Sequence, residues 1–117
     1  MPQEFSRTLR VAEQVKREIA PLIQRQLANG LVGMVTITGV DMSPDLRQAK
    51  IYISCLGGSV DTVVAALNRS RGHLRHHLAY HLRLKVIPRL SFFHDTSLEQ
   101  GARLEALLSS LRDGKTS

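Results

Sequence analysis

The spacing of the apolar residues changes along this chain, and the change limits the folds open to it. Over residues 8–28 the apolar positions recur every three or four residues, which is the period of a helix with one buried face. Two runs of alternating apolar and polar residues follow, at 33–42 and 48–56, separated by the turn residues Ser43-Pro44-Asp45. The sequence therefore predicts a helix followed by two antiparallel strands.

Three details refine these elements. Pro21 lacks a backbone donor inside the helical pattern, which predicts a kink, and Asn29-Gly30 predicts the end of the helix. In the second strand, the alternation places one set of side chains in the core and the other in solvent. The inward set is Ile51, Ile53 and Cys55, and the outward set is Lys50, Tyr52 and Ser54.

The second half of the chain returns to helical spacing, with one interruption. Residues 60–67 follow a helical period that Leu74, Leu78 and Leu82 continue, and Ser70-Arg71-Gly72 lies between the two stretches. Glycine costs about 1 kcal/mol relative to alanine inside a helix, so the sequence predicts a break there. Pro88 opens a third strand, and the capping-box pair Thr96 and Glu99 predicts the start of a last helix.

The predicted order is helix, strand, strand, broken helix pair, strand, helix. Helices on one face of a three-stranded sheet define an α+β fold. The other face of the sheet is polar enough to meet solvent. A chain of 117 residues is near the commonest domain size, so we expect one domain. Its ordered core is expected over residues 6–112, with a polar tail at 113–117. In the last helix we expect Leu98, Leu104, Leu107, Leu108 and Leu111 to pack in the core, the alternative being a protein partner.

Charge content limits the classes of binding partner, and cysteine content limits the covalent and metal cross-links that the chain can form. Sixteen Lys and Arg against ten Asp and Glu give a net charge of +6, which favours nucleic acid first and an anionic membrane surface second. A single cysteine excludes an intramolecular disulfide and a multi-cysteine zinc site. Without a signal-like or membrane-spanning apolar run, the expected location is the cytoplasm.

The positive charge is concentrated in one segment. Residues 62–94 contain no Asp or Glu, six Lys or Arg side chains and all five histidines. Because each cation that reaches a phosphate releases condensed counterions, this tract predicts salt-sensitive contact with RNA or DNA, the alternative being an ordinary solvated helix face. At the break, Ser70 is expected to cap the new helix, and Arg71 and Arg75 to flank a phosphate path in solvent. The alternative role for Gly72 is purely steric.

Several motifs, in order along nearly the whole chain, resemble the ribosome-binding factor A family. They are Arg10-Val11-Ala12-Glu13-Gln14-Val15, Val35-Thr36-Ile37-Thr38, Ala49-Lys50-Ile51-Tyr52-Ile53-Ser54, Leu67-Asn68-Arg69, Pro88-x-Leu90-x-Phe92 and Asp95-x-Ser97-Leu98-Glu99-x-Gly101-x-Arg103-Leu104. The resemblance implies a type II KH-like fold in which an Ala-x-Gly kink replaces the usual Gly-x-x-Gly loop. Here the kink is Ser70-Arg71-Gly72, with serine in place of the alanine.

The resemblance also implies a function. It implies a monomeric, non-catalytic factor that binds the free small (30S) ribosomal subunit and 16S rRNA, assists late maturation and supports growth in the cold. No cofactor, small-molecule substrate or membrane partner is expected. The implied RNA-binding residues are Arg69, Ser70, Arg71, Gly72, Arg75, His76, Arg83 and Lys85. The alternative is a general KH-type RNA-binding module unconnected with ribosomes.

Other chemistry has weaker support in the sequence. His73, His77 and His81 have a spacing that can place imidazoles on one metal, but a partly packed His81 is the expectation. Cys55 is expected in the core rather than as a nucleophile, and no phosphate-binding glycine motif indicates an enzyme. The scarcity of aromatic residues, with no Trp, argues against a base-stacking platform.

Overall fold

A computed structural model describes residues 3–27 and 34–114, in an α+β arrangement that confirms the predicted order of elements. The elements are α1 Gln3–Leu27, β1 Met34–Met42, β2 Gln48–Leu56, α2 Val60–Arg69, α3 Arg71–Ala79, β3 Arg89–His94 and α4 Ser97–Gly114. The predicted turn at Asn29-Gly30 and the last three residues of the predicted tail lie outside the described residues.

The three strands form one sheet in the order β1-β2-β3. The short turn between β1 and β2 makes that pair antiparallel, as predicted, whereas β3 runs parallel to β2. A parallel strand needs a long crossover connection, and α2 and α3 supply it. The alternation of β1 is interrupted by a bulge, because the register shifts between Ile37 and Gly39 and leaves Thr38 without a register partner on β2.

The core lies between one face of the sheet and helices α1, α2 and α3. Helix α1 packs against β1 and α3, and α2 and α3 pack against β3. The side chains without exposed surface come from every layer, namely Val15, Ile19, Ile51, Ile53, Leu67 and Leu78. Full burial of a side chain of this kind contributes about 1.5 to 3 kcal/mol. The predicted inward set on β2 is confirmed for both isoleucines, while Cys55 is half-buried against the core.

Pro21 does not divide the first helix, since α1 continues as one helix on both sides of it. The carbonyl that a proline at this position leaves unpaired belongs to Arg17, four residues earlier. Both residues are exposed, so water can satisfy that carbonyl. No described helix is long and apolar enough to cross a membrane.

The expected core packing of α4 is wrong. Leu104, Leu107, Leu108 and Leu111 are all exposed, with 57% of Leu107 accessible to solvent. The reason is that α1, α2 and α3 already cover the apolar face of the sheet, which leaves no buried surface for a fourth helix. The side chains of Leu98 and Glu99 lie outside the described part of the chain, so the predicted capping box of Thr96 and Glu99 stays a prediction.

Asn68 at the end of α2 completes the hydrogen bonding of the edge strand β3. Its side-chain Oδ1 accepts from the backbone N–H of Phe92 at 2.9 Å, and its Nδ2 donates to the carbonyl of Phe92 at 3.0 Å. One amide side chain thus replaces the two bonds that a fourth strand would make. Because the Phe92 ring is buried, this pairing anchors β3 to the helix layer.

We predict that Asn68→Ala lowers the free energy of unfolding by about 1 to 3 kcal/mol, because it leaves two backbone groups of Phe92 without partners. Asn68→Asp retains the acceptor but places a carboxylate oxygen where Nδ2 met the Phe92 carbonyl, so its loss should be at least as large as that of Asn68→Ala. Urea unfolding of the three proteins measures the effect. Equal stability of wild type and Asn68→Ala would contradict the role assigned to this side chain.

Asp95 connects the β1 bulge, the end of the sheet and the start of α4. Its Oδ1 accepts from the backbone N–H of Ser97 at 2.9 Å, and its Oδ2 accepts from the hydroxyl of Thr38. The backbone N–H of Asp95 donates to the carbonyl of Ile53. Hydrogen bonds from the Ser97 side chain first, and from Thr38 next, lower the pKa of Asp95 from 3.8 to about 2.

We therefore predict an acid-dependent contribution of Asp95 to stability. A folded-state pKa below the unfolded value means that the contribution is complete above 3.8 and is lost as the pH falls towards about 2. The difference in unfolding free energy between wild type and Asp95→Asn should shrink over that interval. Thermal or urea unfolding as a function of pH measures it, and a difference independent of pH would contradict the prediction.

Candidate nucleic-acid interface

The predicted break between the two helices occurs at a single residue. Helix α2 begins after Ser59, whose Oγ accepts from the N–H of Thr62 at 3.3 Å, and it ends at Arg69. Helix α3 begins at Arg71, so only Ser70 separates the two helices. The prediction that the second helix extends through Leu82 is wrong, because α3 ends at Ala79. Leu82 is buried, but it follows the turn at residues 80–81.

Ser70 does not cap α3 as expected. Its hydroxyl accepts from Nε2 of Gln26 on α1 at 3.0 Å and makes no side-chain bond to the backbone of α3. The carbonyl of Ser70 accepts from Leu74 at 2.9 Å, so the backbone still starts the helix. The Ser70 side chain is thus a link to α1 rather than part of the surface at the start of α3.

Gly72 is not required by packing. A Cβ atom added there would meet no heavy atom within 4 Å, and the residue does not have a positive φ. The steric explanation for this glycine therefore has no support in its surroundings. Its missing side chain leaves the backbone at the start of α3 open to an approaching ligand.

A groove of about 450 Å³ lies between the start of α3 and the first residues of β2 and β3. Three arginines from different elements, Arg71, Arg75 and Arg89, line it together with Gly72 and Gln48. Leu90 and Ser91 complete the lining. A polyanion in this groove would meet guanidinium groups on both sides, since two come from the helix and one from the sheet.

This groove continues into two others, and we call the three together the basic track. The second groove shares Arg75 and Arg89 with the first and adds Arg47, and the third shares Arg47 with the second. The cations lining the basic track are Arg7, Arg47, Arg71, Arg75, Arg83, Lys85 and Arg89. Such a line of positive side chains matches the repeated phosphates of a nucleic-acid backbone.

Among the described residues, Asp45 is the one acidic side chain that lines the basic track, where it belongs to the second and third grooves and not to the first. Its carboxylate accepts from the hydroxyl of Ser43 at 2.6 Å and from the N–H of Arg47 at 3.0 Å, and these bonds lower its pKa. Asp45 thereby holds the turn in which Leu46 has a φ of 62° and a buried side chain. This left-handed conformation costs a non-glycine residue about 1 to 2 kcal/mol, which burial of the leucine offsets.

Arg75 has a structural role as well as a place in the groove. Although it is exposed, its Nη2 donates to the carbonyl of Ile87 at 2.8 Å and its Nε donates to the carbonyl of Pro88 at 3.2 Å. The expectation that Arg75 faces solvent is confirmed, and the two backbone bonds are a further role that the sequence did not indicate. Its guanidinium holds the segment that leads into β3, and Arg89 follows that segment directly.

We predict that Arg75→Ala lowers the free energy of unfolding by about 1 kcal/mol, because the carbonyls of Ile87 and Pro88 lose their donor. Arg71→Ala, one turn earlier, removes a side chain that has no hydrogen bond or ion pair within the described residues, so its effect should stay within about 0.5 kcal/mol. Urea unfolding compares the two variants, and equal losses would contradict the structural role of Arg75.

Six of the eight residues expected to bind RNA lie together. Arg71, Gly72, Arg75, Arg83 and Lys85 line the grooves above, and His76 lines a hollow beside Gly72, Arg75 and Lys85. Arg69 is exposed at the end of α2 and lines none of these grooves, and Ser70 faces α1.

The structure also adds residues that the sequence reasoning did not assign to the site, namely Arg7, Arg47, Gln48 and Arg89. Arg89 belongs to the acid-free segment and could have been included on that ground. Arg47 and Arg7 carry no comparable signal, because they come close to the others only through the fold. The N–H of Arg89 donates to the carbonyl of Arg47 at 2.8 Å, which fixes the two backbones side by side.

The histidines do not form the metal arrangement that their spacing allows. The ring centroids of His73 and His77 lie 4.4 Å apart on α3, but α3 ends before His81. His81 is exposed rather than packed, and its Nδ1 lies 3.9 Å from a carboxylate oxygen of Glu18. Desolvation first, and the neighbouring His73 next, lower the pKa of His77. Among the described residues, no group of three metal-ligating side chains occurs.

Comparison with known sequences gives one consistent result. The family model described as ribosome-binding factor A matches residues 7–108. Ribosome-binding factor A of Nitrosomonas eutropha is 46% identical over 110 residues, covering 92% of this chain and 94% of the relative. The protein of the same name from Nitrosococcus oceani is 49% identical over 110 residues, covering 92% of this chain and 87% of the relative.

Solved structures agree with the sequence relatives. The crystal structure of ribosome-binding factor A from Thermus thermophilus aligns with a TM-score of 0.65 at 25% identity, over 74% of this chain and 93% of that one. A second set of coordinates, of the T. thermophilus factor fitted into a cryo-electron microscopy map of a 30S complex, aligns with a TM-score of 0.63 at 27% identity. The alignment covers 73% of this chain and 91% of that one. These neighbours confirm the KH-like α+β fold expected from the sequence.

Proposed function

The chain belongs to the ribosome-binding factor A family, and on that premise we propose that it binds the small ribosomal subunit through ribosomal RNA. The T. thermophilus member has been fitted into a map of its 30S complex, and the fold of this chain is similar to that member's. The proposed partner is the free 30S subunit, and the proposed contact is with 16S rRNA. The proposed unit is a single KH-like domain spanning residues 1–117 that acts as a monomer in the cytoplasm.

The observation that carries the proposal is the basic track. Seven cations from α1, the β1–β2 turn, α3, the segment before β3 and β3 itself line one continuous set of grooves. Ligands that need such a surface carry many regularly spaced negative charges, and ribosomal RNA is a ligand of that kind. The exposed backbone at Gly72 adds a place where a phosphate can approach the first N–H groups of α3.

The proposed mechanism is binding without catalysis. By binding one conformation of the rRNA more tightly than others, the protein shifts the subunit towards a form competent for late maturation and 16S processing. No bond is made or broken by its own side chains in this scheme. The same action would support growth in the cold, where misfolded rRNA rearranges slowly.

We predict that the protein co-sediments with separated 30S subunits more strongly than with 50S subunits, joined ribosomes or an unrelated RNA at moderate salt. Arg71→Glu with Arg89→Glu should abolish this retention, because both side chains line the first groove. Where weak binding persists, the dependence of log affinity on log salt concentration should fall by about two. Neither side chain has a hydrogen bond or ion pair in the described part of the chain, so the variant should fold.

The matched control is Arg10→Glu with Arg17→Glu, which makes the same change in net charge at two exposed positions of α1 outside the basic track. The control should retain most of the 30S binding. Equal loss in both variants would mean that net charge, not the track, determines affinity. If the wild-type protein co-sediments equally with 30S subunits, 50S subunits, joined ribosomes and the unrelated RNA, a general KH-type RNA-binding module is favoured over a 30S factor.

A further inference from the structure

Although the scarcity of aromatic residues argues against a base-stacking platform, the face of the sheet opposite the helices brings two aromatic rings side by side. Tyr52 of β2 and Phe93 of β3 are register partners, and their ring centroids lie 5.7 Å apart with 32° between the planes. Phe93 is 42% exposed and Tyr52 is half-buried. Neither ring contributes to the core, which lies on the other face under α1, α2 and α3.

The bulge in β1 places a glycine, without a side chain, opposite Tyr52. Without the register shift, Thr38 would follow Ile37 and lie opposite Tyr52, but the shift places Gly39 there instead. A Cβ atom at Gly39 would meet no heavy atom within 4 Å, so the space over β1 at that position is unoccupied by the described residues. The displaced Thr38 uses its hydroxyl to bond Asp95.

The two rings are continuous with the basic track. Gln48, Arg89 and Ser91 line the first groove, and they lie on the same two strands and the same face as the rings. Ser91 precedes Phe93 by two residues, which is about 7 Å along a strand. Exposed Lys50 lies between Gln48 and Tyr52, opposite Asp41 of β1, and the Asp95 carboxylate at the far end is already bonded by Thr38 and Ser97.

We propose that Tyr52 and Phe93 form a stacking site for unpaired nucleobases of a single-stranded RNA segment that continues from the basic track. This proposal deepens the proposed function and rests on it, since it names single-stranded rRNA as the ligand. Aromatic rings on neighbouring strands of an open sheet face bind bases in this way, because every base has a π-face. The adjoining cations favour RNA over a protein partner at this face.

Binding of two fluorescently labelled ligands tests the proposal. One is an oligoadenylate of about ten nucleotides, and the other is an abasic strand of equal length and equal charge. Stacking predicts that wild type binds the oligoadenylate roughly tenfold or more tightly than the abasic strand. The variant Tyr52→Leu with Phe93→Leu retains apolar surface on the sheet and should lose this preference, while its affinity for the abasic strand stays unchanged.

Two further proteins separate stacking from charge and from misfolding. Arg71→Glu with Arg89→Glu should lose affinity for both strands, because it acts on the phosphates that the two ligands share. Tyr80→Phe leaves Tyr52 as the one tyrosine of a chain without tryptophan, so stacking should quench its emission with oligoadenylate and not with the abasic strand. Circular dichroism checks that each variant is folded.

The outcomes are distinct. A base-dependent preference that disappears in the leucine variant, together with base-dependent quenching, supports the stacking site. Equal affinity of wild type for the two strands, or an unchanged preference in the leucine variant, overturns it. These results do not depend on ribosomes, so a protein that stacks bases but shows no selectivity for 30S would contradict the proposed function alone.

Discussion

The parallel pairing of β2 with β3 is the constraint on which the rest of this structure depends. It requires a crossover connection, and the helices α2 and α3 provide it while covering the apolar face of the sheet. Parallel strands also begin at the same end of a sheet, so Gln48 and Arg89 are register partners there. The groove formed with the start of α3 follows from this topology, which brings Gln48 and Arg89 at the start of the two strands beside Arg71 and Arg75.

Two polar side chains of the helix pair hold the backbone of β3 and of the segment before it. Asn68 bonds both backbone groups of Phe92, and Arg75 bonds the carbonyls of Ile87 and Pro88. The apolar contacts bury the helices, while these directional bonds set where the edge strand lies. Stability and binding are therefore coupled at Arg75, which belongs both to the support of the fold and to the basic track.

The two surfaces differ in what they can recognise. The basic track offers charge and hydrogen-bond donors, which suit the phosphates of any RNA, whereas the rings of Tyr52 and Phe93 are suited to bases that are not paired. In a member of the ribosome-binding factor A family, the combination favours a partner with both a continuous backbone and exposed bases. The bulge that replaces Thr38 by Gly39 opposite Tyr52 is a backbone feature that serves the second surface.

Local preferences in the sequence determined the helices, the three strands, the turn at residues 43–45 and the break at Ser70, because periodicity, proline and glycine act on the nearest few residues. The concentration of cations in residues 62–94 likewise located most of the candidate site. Only the tertiary structure decided where Arg47 and Arg89 meet, how Asn68 pairs with Phe92, and that Tyr52 lies beside Phe93. It also left the leucines of α4 exposed, since the surface they would cover is occupied. Such contacts depend on strand register and on competition for buried surface, and no short segment of the sequence contains either.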